Sequence, residues 1–420
     1  MTTKPLIQND IKAMPQLAKH AKGVWIYDTE GNDYLDACAG AVVVNVGHSH
    51  PRVLETLKTQ SEQLTFVHRS AFSSEAMHGL AQRLTRVTGF AGAWFVNSGS
   101  EAVEAGLQFA LQYHAERGEE RTMFLSHARG YHGNTLGALS LSGHIRRSVL
   151  GGLALDFNLL PDPYVSDDTA ALLAQVDSVV REHSTNIAAI VFEPLSGATL
   201  GCNPLPEGYL AGLRKIADEH GILLLADEVM TGLGRTGKWL ACDHWDVKPD
   251  LVALGKGLGA GYTPISAALV SERVLTELRG GSGIIRGGHT YGGNPLSVAV
   301  ANEVLKITET DDLITTSRTQ GEYLRKKLHD LAEKHRVIKD IRGLGLMLGV
   351  ELHSDASKND PQGPGLGESA RRKALDNGLL IYSTTGGFND AFIIAPPLTI
   401  TTAEIDVLVQ RLDRTLGELS

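Results

Sequence analysis

The sequence predicts an α/β fold: a mainly parallel central sheet with helices on both faces, plus a smaller α+β domain built from both termini. Short apolar runs end in Gly, Ser, Asp or Pro, as buried parallel strands do. Stretches with helical periodicity lie between these runs. The chain has 420 residues, which is too long for one core, because single cores stop growing near about 250 to 300 residues.

Six apolar runs are each short enough to be one buried strand. They are rich in Val, Ile, Leu and Phe, and we expect all of them to belong to one sheet. In chain order they are residues 93–96, 122–125, 187–192, 222–226, 251–254 and 265–270.

Helical spacing predicts the crossover helices that connect parallel strands. The candidates are residues 101–114, 209–220 and 296–307.

Beyond about residue 310 the pattern changes to a charged helical stretch at 323–335 and a glycine-rich run at 341–351. A polar loop at 355–367 follows, which is the best place in the chain for an insertion, and then two further helix candidates. We therefore expect three segments. Residues 51–310 form the large domain, and residues 1–50 and 311–420 contribute to the small one.

The composition predicts a small-molecule partner. The formal net charge is −9, whereas nucleic-acid binders and anionic-membrane binders need a basic surface. Apolar runs are far shorter than the about 20 residues that span a bilayer. Residues 1–10 lack the apolar core of a signal peptide, and Cys38, Cys202 and Cys242 form no paired motif. We expect a reduced, cytoplasmic protein that binds neither nucleic acid nor membrane.

A phosphate site is predicted at residues 96–102, Val-Asn-Ser-Gly-Ser-Glu-Ala, where an apolar strand runs into small residues and then a helix. Backbone N–H groups and the helix dipole would face an incoming anion there. A plain turn is an equally good reading of this segment alone, because such turns are common in α/β proteins.

Asp227 follows an apolar strand at 223–226, at the carboxyl end where ligands of open α/β sheets bind. Its carboxylate could pair with a protonated ring nitrogen and keep a pyridinium charged, which makes the ring an electron sink. The alternative is that Asp227 or Glu228 caps the next turn or binds a metal.

Lys256 follows the apolar strand at 251–254 and is flanked by Gly255 and Gly257. Desolvation at the end of a buried strand lowers an ammonium pKa and yields the free amine that a Schiff base needs. A phosphate-contacting lysine is the alternative, but the first glycine of a P-loop is missing at its required spacing before Lys256, and no Ser or Thr directly follows the lysine.

Other motifs are weaker. Residues 232–237 fit Gly-x-Gly-x-x-Gly, but no crossover helix opens directly after them and the acidic pair precedes the glycines, so we do not expect a dinucleotide site. The histidines show no His-Glu-x-x-His pattern, and we assign no metal.

Taken together, these residues and their order resemble the class III, or ω-type, aminotransferases of pyridoxal-phosphate fold type I. The resemblance runs from about residue 23 to residue 401. Its motifs are Asn-Val-Gly-His-Ser-His-Pro at 45–51, Asn-Ser-Gly-Ser-Glu-Ala at 97–102, Gly-Tyr-His-Gly-Asn-Thr at 130–135, Glu-Pro at 193–194, Asp-Glu-Val at 227–229, Gly-Lys-Gly at 255–257 and His-Thr-Tyr-Gly-Gly-Asn-Pro at 289–295.

The resemblance implies that the cofactor is pyridoxal 5'-phosphate and that Lys256 is the catalytic residue. Lys256 would form a Schiff base with the cofactor and then move the proton during amino transfer. Gly99 and Ser100 would hold the cofactor phosphate. Tyr131 would stack on the pyridine ring, with His132 beside it.

The resemblance also implies that Asp227 binds the ring nitrogen, that Val229 packs on the opposite ring face and that Glu193 lies in the polar layer near Asp227. Thr290 would reach the phosphate of the neighbouring subunit's cofactor. The implied assembly is a homodimer or a dimer of dimers.

The substrate is less defined. Ornithine aminotransferase and similar enzymes have an arginine shortly before a Pro-Pro-Leu segment and a glutamate that gates it. Here residues 392–395 are Phe-Ile-Ile-Ala and residue 198 is Ala. We therefore expect a more apolar donor pocket. The carboxylate of an α-keto acid could bind to Arg146, Arg235 or Arg286, and the sequence does not rank these three residues. For Arg235, a structural ion pair is the better interpretation.

The expected function is amino transfer from an amine or amino acid, with apolar character, to an α-keto acid such as pyruvate or 2-oxoglutarate. An amino-acid racemase or epimerase of the same fold is the alternative, but no residue stands out as the second proton donor that it needs. A pyridoxal-phosphate-binding protein without catalysis is a further possibility.

Overall fold

The computed structural model describes residue 7 and residues 15–155, 157–166, 168–353 and 365–419. Most of residues 1–10 and most of the proposed insertion loop at 355–367 lie outside the described residues.

The strands are β1 (Ala18–Lys22), β2 (Trp25–Asp28), β3 (Asp33–Asp36), β4 (Gly92–Val96), β5 (Met123–His127), β6 (Asn158–Leu160), β7 (Ile187–Phe192), β8 (Leu195–Ser196), β9 (Asn203–Pro204), β10 (Leu223–Asp227), β11 (Leu251–Leu254), β12 (Ser266–Val270), β13 (Ile338–Leu344), β14 (Met347–Leu352), β15 (Leu379–Leu380), β16 (Tyr382–Ser383) and β17 (Ala391–Ile394).

The helices are α1 (Ala39–Val42), α2 (Pro51–Gln63), α3 (Glu75–Thr88), α4 (Gly99–Glu116), α5 (Leu136–Leu141), α6 (Thr169–His183), α7 (Tyr209–Glu219), α8 (Glu272–Gly280), α9 (Pro295–Thr310), α10 (Leu313–Lys334), α11 (Leu366–Asp376) and α12 (Thr402–Gly417), and 3₁₀ segments cover Ile145–Leu153, Ala241–His244 and Lys256–Leu258.

The central sheet has the strand order β4-β12-β11-β10-β7-β5-β6. All six predicted strands belong to it, and the mainly parallel arrangement is confirmed. The exception is β12, which runs antiparallel to both β11 and β4. A parallel connection needs a crossover of about a dozen residues or more, usually a helix, whereas only a 3₁₀ turn and a short loop link β11 to β12.

Helices cover both faces of this sheet, as predicted. In β10, Leu224 and Ala226 face a core shared with α3, α6, α7 and α9. Leu223 and Leu225 face the opposite core, which is shared with α4, α5 and α8. Every residue of β10 is buried, and burial on both faces explains why such strands read as unbroken apolar runs.

A further core joins the two ends of the chain. Strand β3 pairs in parallel with β15, which places Leu35 beside Leu379. The antiparallel sheet β13-β14-β17-β16 packs against α10 and α11. The smaller α+β unit from both termini is therefore confirmed, while its boundaries at residues 50 and 310 stay a prediction.

The charged stretch predicted at 323–335 is the second half of α10, and the glycine-rich run is the β13–β14 hairpin. Within the described part of the chain, every helix is too short or too polar to cross a bilayer.

Candidate active site

A cavity of about 210 Å³, partly open to solvent, lies beyond the carboxyl ends of β10 and β11. Ligands of α/β sheets bind at this edge. All of the predicted site residues except Thr290 line the cavity, and Thr290 is exposed. The lining residues are Gly99, Ser100, Tyr131, His132, Gly133, Glu193, Ala198, Asp227, Val229, Met230, Thr231 and Lys256.

Lys256 begins the 3₁₀ turn that follows β11. Its backbone is left-handed, with φ of 43°, a conformation that costs about 1–3 kcal/mol in non-glycine residues and is concentrated at functional sites. Burial lowers the pKa of its amine, although the charges of Asp227 and Glu193 oppose the shift. Among the described residues, its Nζ has no hydrogen-bond or ion-pair partner. The site therefore holds an unpaired amine.

The flanking glycine Gly255 is required by close packing. A Cβ at this position would lie 2.7 Å from Ser266 Oγ and 3.2 Å from Val229 Cγ1. The glycine before Lys256 therefore lets β11 end close against the wall of the cavity.

Asp227 ends β10 at the base of the cavity and is 8% exposed. Its Oδ2 accepts a hydrogen bond from His132 Nδ1 at 3.0 Å, and its Oδ1 accepts one from the Val229 N–H at 3.1 Å. Burial alone would lower the pKa of His132, but the hydrogen bond and charge of Asp227 outweigh burial and raise this pKa. The Asp227–His132 pair can therefore hold positive charge in the pocket.

Glu193 lies next to this pair. Its Oε2 accepts from the Tyr131 N–H at 3.0 Å, and its Oε1 accepts from the Gly197 N–H at 3.2 Å. Burial raises the pKa of Glu193, while the nearby His132 opposes the rise. Glu193 thus anchors the backbone of the segment that carries Tyr131 and His132.

Gly99 and Ser100 form the first turn of α4, where N–H groups lack helical partners. The Ser100 Oγ accepts from the Asn134 N–H at 2.9 Å, which leaves its own proton free to donate to an anion. A Cβ on Gly99 would lie 2.7 Å from Val229 Cγ1, so glycine is needed where helix and cavity wall meet. This arrangement can bind a phosphate.

Glu228, the second acid of the pair at the end of β10, has a structural role. It is 1% exposed and lies outside the cavity lining. Its carboxylate accepts from the Ala241 N–H at 2.7 Å, the Cys242 N–H at 2.9 Å and the Thr231 hydroxyl at 2.8 Å. The turn-capping alternative therefore applies to Glu228, while Asp227 faces the cavity.

We expect Glu228→Ala to lower the free energy of unfolding by about 3 kcal/mol, because it leaves buried N–H donors without an acceptor. Glu228→Gln keeps one acceptor oxygen and should lose less. Urea unfolding of the purified variants measures this difference. Wild-type stability of Glu228→Ala would contradict the structural role.

Arg235, in the Gly-x-Gly-x-x-Gly segment, is 1% exposed. It donates to the Leu346 carbonyl at 3.0 Å, the Pro396 carbonyl at 2.6 Å and Asn45 Oδ1 at 2.7 Å. The expected ion pair is wrong: in the described part of the chain, no carboxylate lies within 4 Å of this guanidinium. Arg235 instead joins loops from distant parts of the chain through their carbonyl groups.

Sequence reasoning did not assign some of the lining residues to the site, namely Gly133, Ala198, Met230 and Thr231. Three of them could have been predicted from their place in the sequence, because Gly133 directly follows His132, and Met230 and Thr231 directly follow Val229. Ala198 comes from a separate turn after β8, and only the comparison with ornithine aminotransferase had pointed to this position, as part of the donor pocket.

The residues present fit pyridoxal phosphate. A free amine faces the same cavity as a buried carboxylate, which suits a carbonyl carbon and a protonated ring nitrogen. The α4 N-terminus suits the phosphate, and the Tyr131 ring and the Val229 side chain supply apolar walls for an aromatic ring.

The model of the protein family described as aminotransferase class-III matches residues 6–416 of this chain. The chain is 38% identical to the uncharacterized aminotransferase YodT of Bacillus subtilis (strain 168), covering 98% of this chain and 97% of that protein. It is also 38% identical to ornithine aminotransferase of Staphylococcus carnosus (strain TM300), and this match covers 96% of this chain and 94% of that protein.

An amine transaminase from an uncultivated Pseudomonas species, solved with pyridoxal phosphate bound, superposes with a TM-score of 0.91. The identity is 32%, and the match covers 99% of this chain and 98% of that one. The chain therefore belongs to the class III aminotransferases and is a pyridoxal-phosphate-dependent transaminase of fold type I.

Proposed function

We propose that this enzyme moves an amino group from an apolar amine or amino-acid donor to an α-keto acid such as pyruvate or 2-oxoglutarate. The observation that carries the proposal is the amine of Lys256, which has a lowered pKa, no partner among the described residues, and a place in the same cavity as the Asp227–His132 pair. Such an amine suits both covalent attachment and proton transfer.

When bound, pyridoxal phosphate supplies a carbonyl carbon that takes up the amino group and a ring that stabilises negative charge. Asp227, oriented by His132 and the Val229 N–H, would accept a hydrogen bond from the ring nitrogen and keep its proton in place. Gly99 and Ser100 would bind the phosphate and fix the ring against Val229.

Lys256 would have two tasks in this proposal. Its Nζ would hold the cofactor covalently between turnovers until the donor amine displaces it. The freed Nζ would then take the proton from the substrate Cα and return a proton at the cofactor carbon C4′. Burial supports the second task, since a lowered pKa keeps the amine able to accept a proton.

The donor side of the pocket supports apolar donors. Ala198 and Met230 line the cavity. The four residues before Pro396, which are Phe392 to Ala395, are apolar and fully buried in the core, at the end of β17. An arginine clamp for the donor's carboxylate is therefore missing at these positions.

The test is to incubate the purified holoenzyme with an apolar L-amino acid, an arylalkylamine or ornithine, each with and without pyruvate or 2-oxoglutarate. We expect amino transfer that requires the keto acid and is faster with the apolar donors. Inversion of the amino acid without keto acid would point to a racemase. A clear preference for ornithine would contradict the apolar pocket.

We also propose that the enzyme works as a cytoplasmic homodimer in which Thr290 reaches the partner's cofactor phosphate. Thr290 lies outside the cavity of its own chain, and the neighbouring Tyr291, which is 65% exposed, contacts the ring of Phe66, which is 42% exposed. Apolar groups this exposed favour a subunit contact. Light scattering measures the assembly, and a monomer would contradict it.

A further inference from the structure

The arginines Arg235, Arg286 and Arg146 differ in their surroundings. Arg235 is buried and donates to carbonyl and amide oxygens. Arg286 is exposed in the loop before α9, near Glu116 of α4. None of the three side chains belongs to the cavity lining, and within the described part of the chain no hydrogen bond or ring contact joins Arg235 or Arg286 to a residue of that lining. Arg146 differs from both, because its guanidinium contacts the ring of Tyr131, which is a lining residue.

Arg146 is exposed at the start of the 3₁₀ segment Ile145–Leu153. Its Cζ lies 5.9 Å from the ring centroid of Tyr131, which lines the cavity. Its charge also acts on Tyr382: burial raises the pKa of Tyr382, and Arg146 opposes this rise. Among the described residues, no carboxylate forms an ion pair with Arg146. A guanidinium without a carboxylate partner therefore lies beside Tyr131 at the cavity wall, and its charge reaches Tyr382 behind that wall.

His144 fixes this position. Its Nδ1 accepts from the Arg146 N–H at 3.1 Å, and its Nε2 donates to the Thr385 hydroxyl at 3.1 Å. Its ring packs on Tyr131 with 5.1 Å between centroids. Burial, followed by the charge of Arg146, lowers the pKa of His144, which favours the neutral ring that this bonding pattern requires.

The same contacts connect Arg146 to the cavity wall. The Thr385 N–H donates to the carbonyl of Ala198, a lining residue, at 2.9 Å. Arg146, His144 and Thr385 therefore form a continuous chain of contacts that ends at the donor side of the cavity.

We propose that Arg146 binds the substrate carboxylate, assisted by the hydroxyl group of Tyr131, and that it replaces the clamp missing at residues 198 and 392–395. This inference rests on the proposed amino transfer. A guanidinium offers two parallel N–H groups to a carboxylate, and a phenolic hydroxyl can donate to the same oxygens. His144 is a positioning residue for this group.

The proposal names the substrate class. Amino and keto acids whose carboxylate is next to the reacting carbon would use Arg146, whereas amines without a carboxylate would not. The enzyme would therefore discriminate between acids and amines at one side chain.

The first experiment measures single-turnover half-reactions of wild-type and Arg146→Gln holoenzyme. We expect the second-order rate constant with pyruvate to fall about ten- to a hundredfold, because a charge-assisted pair is lost. The rate with an arylalkylamine donor should change less than about twofold. Arg181→Gln is the matched control, because Arg181 is a surface residue of α6 that pairs with Asp177.

The second experiment does not depend on turnover. Calorimetry compares binding of 3-phenylpropionate and of its uncharged amide to the same holoenzymes. Arg146→Gln should weaken binding of the acid about tenfold or more and leave binding of the amide unchanged.

The two experiments separate the inference from the proposed function. If the wild-type enzyme transfers no amino group but Arg146→Gln still weakens binding of the acid, the proposed function fails and the carboxylate site stands. If Arg146→Gln binds the acid and reacts with pyruvate as the wild type does, the inference is overturned. Arg286→Gln is measured in the same way, and loss of acid binding in Arg286→Gln but not in Arg146→Gln would also overturn the inference.

Discussion

Lys256→Ala should lower the rate of amino transfer by at least about 10⁴-fold, because one side chain supplies both the covalent attachment and the proton transfer. The cavity should persist, since Lys256 Nζ has no partner among the described residues whose loss would disturb the fold. The measurement is single-turnover transfer with saturating cofactor.

Lys215→Ala is the matched control, because its amine is on the surface of α7 and its side chain is 78% exposed. It should react at the wild-type rate. A small primary amine added to Lys256→Ala should restore part of the activity, since it supplies the missing base from solution. Lys256→Ala that still turns over at more than a few per cent of the wild-type rate would contradict the assignment.

Asp227→Asn should slow amino transfer by about 10²- to 10⁴-fold while the enzyme stays folded. The amide cannot hold the positive charge of the ring nitrogen as a carboxylate does, and it also weakens the bond to His132. Asp227→Glu should recover part of the rate. The measurement is the rate constant for loss of the substrate Cα proton, followed with Cα-deuterated donor.

The neighbouring Glu228→Gln is the comparison for this variant. Its carboxylate binds backbone N–H groups outside the cavity, so the substitution should change the unfolding midpoint and leave the rate per folded molecule intact. If Asp227→Asn and Glu228→Gln slowed the proton step equally, Asp227 would have no special role at the ring.

The buried strands of the central sheet could be predicted from the sequence because burial on both faces makes them unbroken apolar runs. The reversed strand β12 could not be predicted, since its direction depends on the short connection after Lys256 and on pairing with β4. The pairing of β3 with β15 joins opposite ends of the chain, and local patterns carry no information about such contacts.

The residues at strand ends, Asp227 and Lys256, could be identified because strand, turn and residue type occur together in the sequence. Arg235 has the structural role that the sequence favoured, but the predicted carboxylate partner was wrong, because its partners are carbonyl groups of distant loops, which leave no mark in the sequence. Arg146 could not be ranked either. Its place beside Tyr131 depends on the contact between His144 and Thr385, which lie far apart in the chain.

The covalent attachment site tests the central claim most directly. The holoenzyme is reduced with borohydride, digested and sequenced by mass spectrometry to find the residue that carries the pyridoxyl group. We predict one modified residue, Lys256, in the wild type and none in Lys256→Ala. A pyridoxyl group on another lysine at comparable occupancy, or its absence from Lys256, would contradict this account.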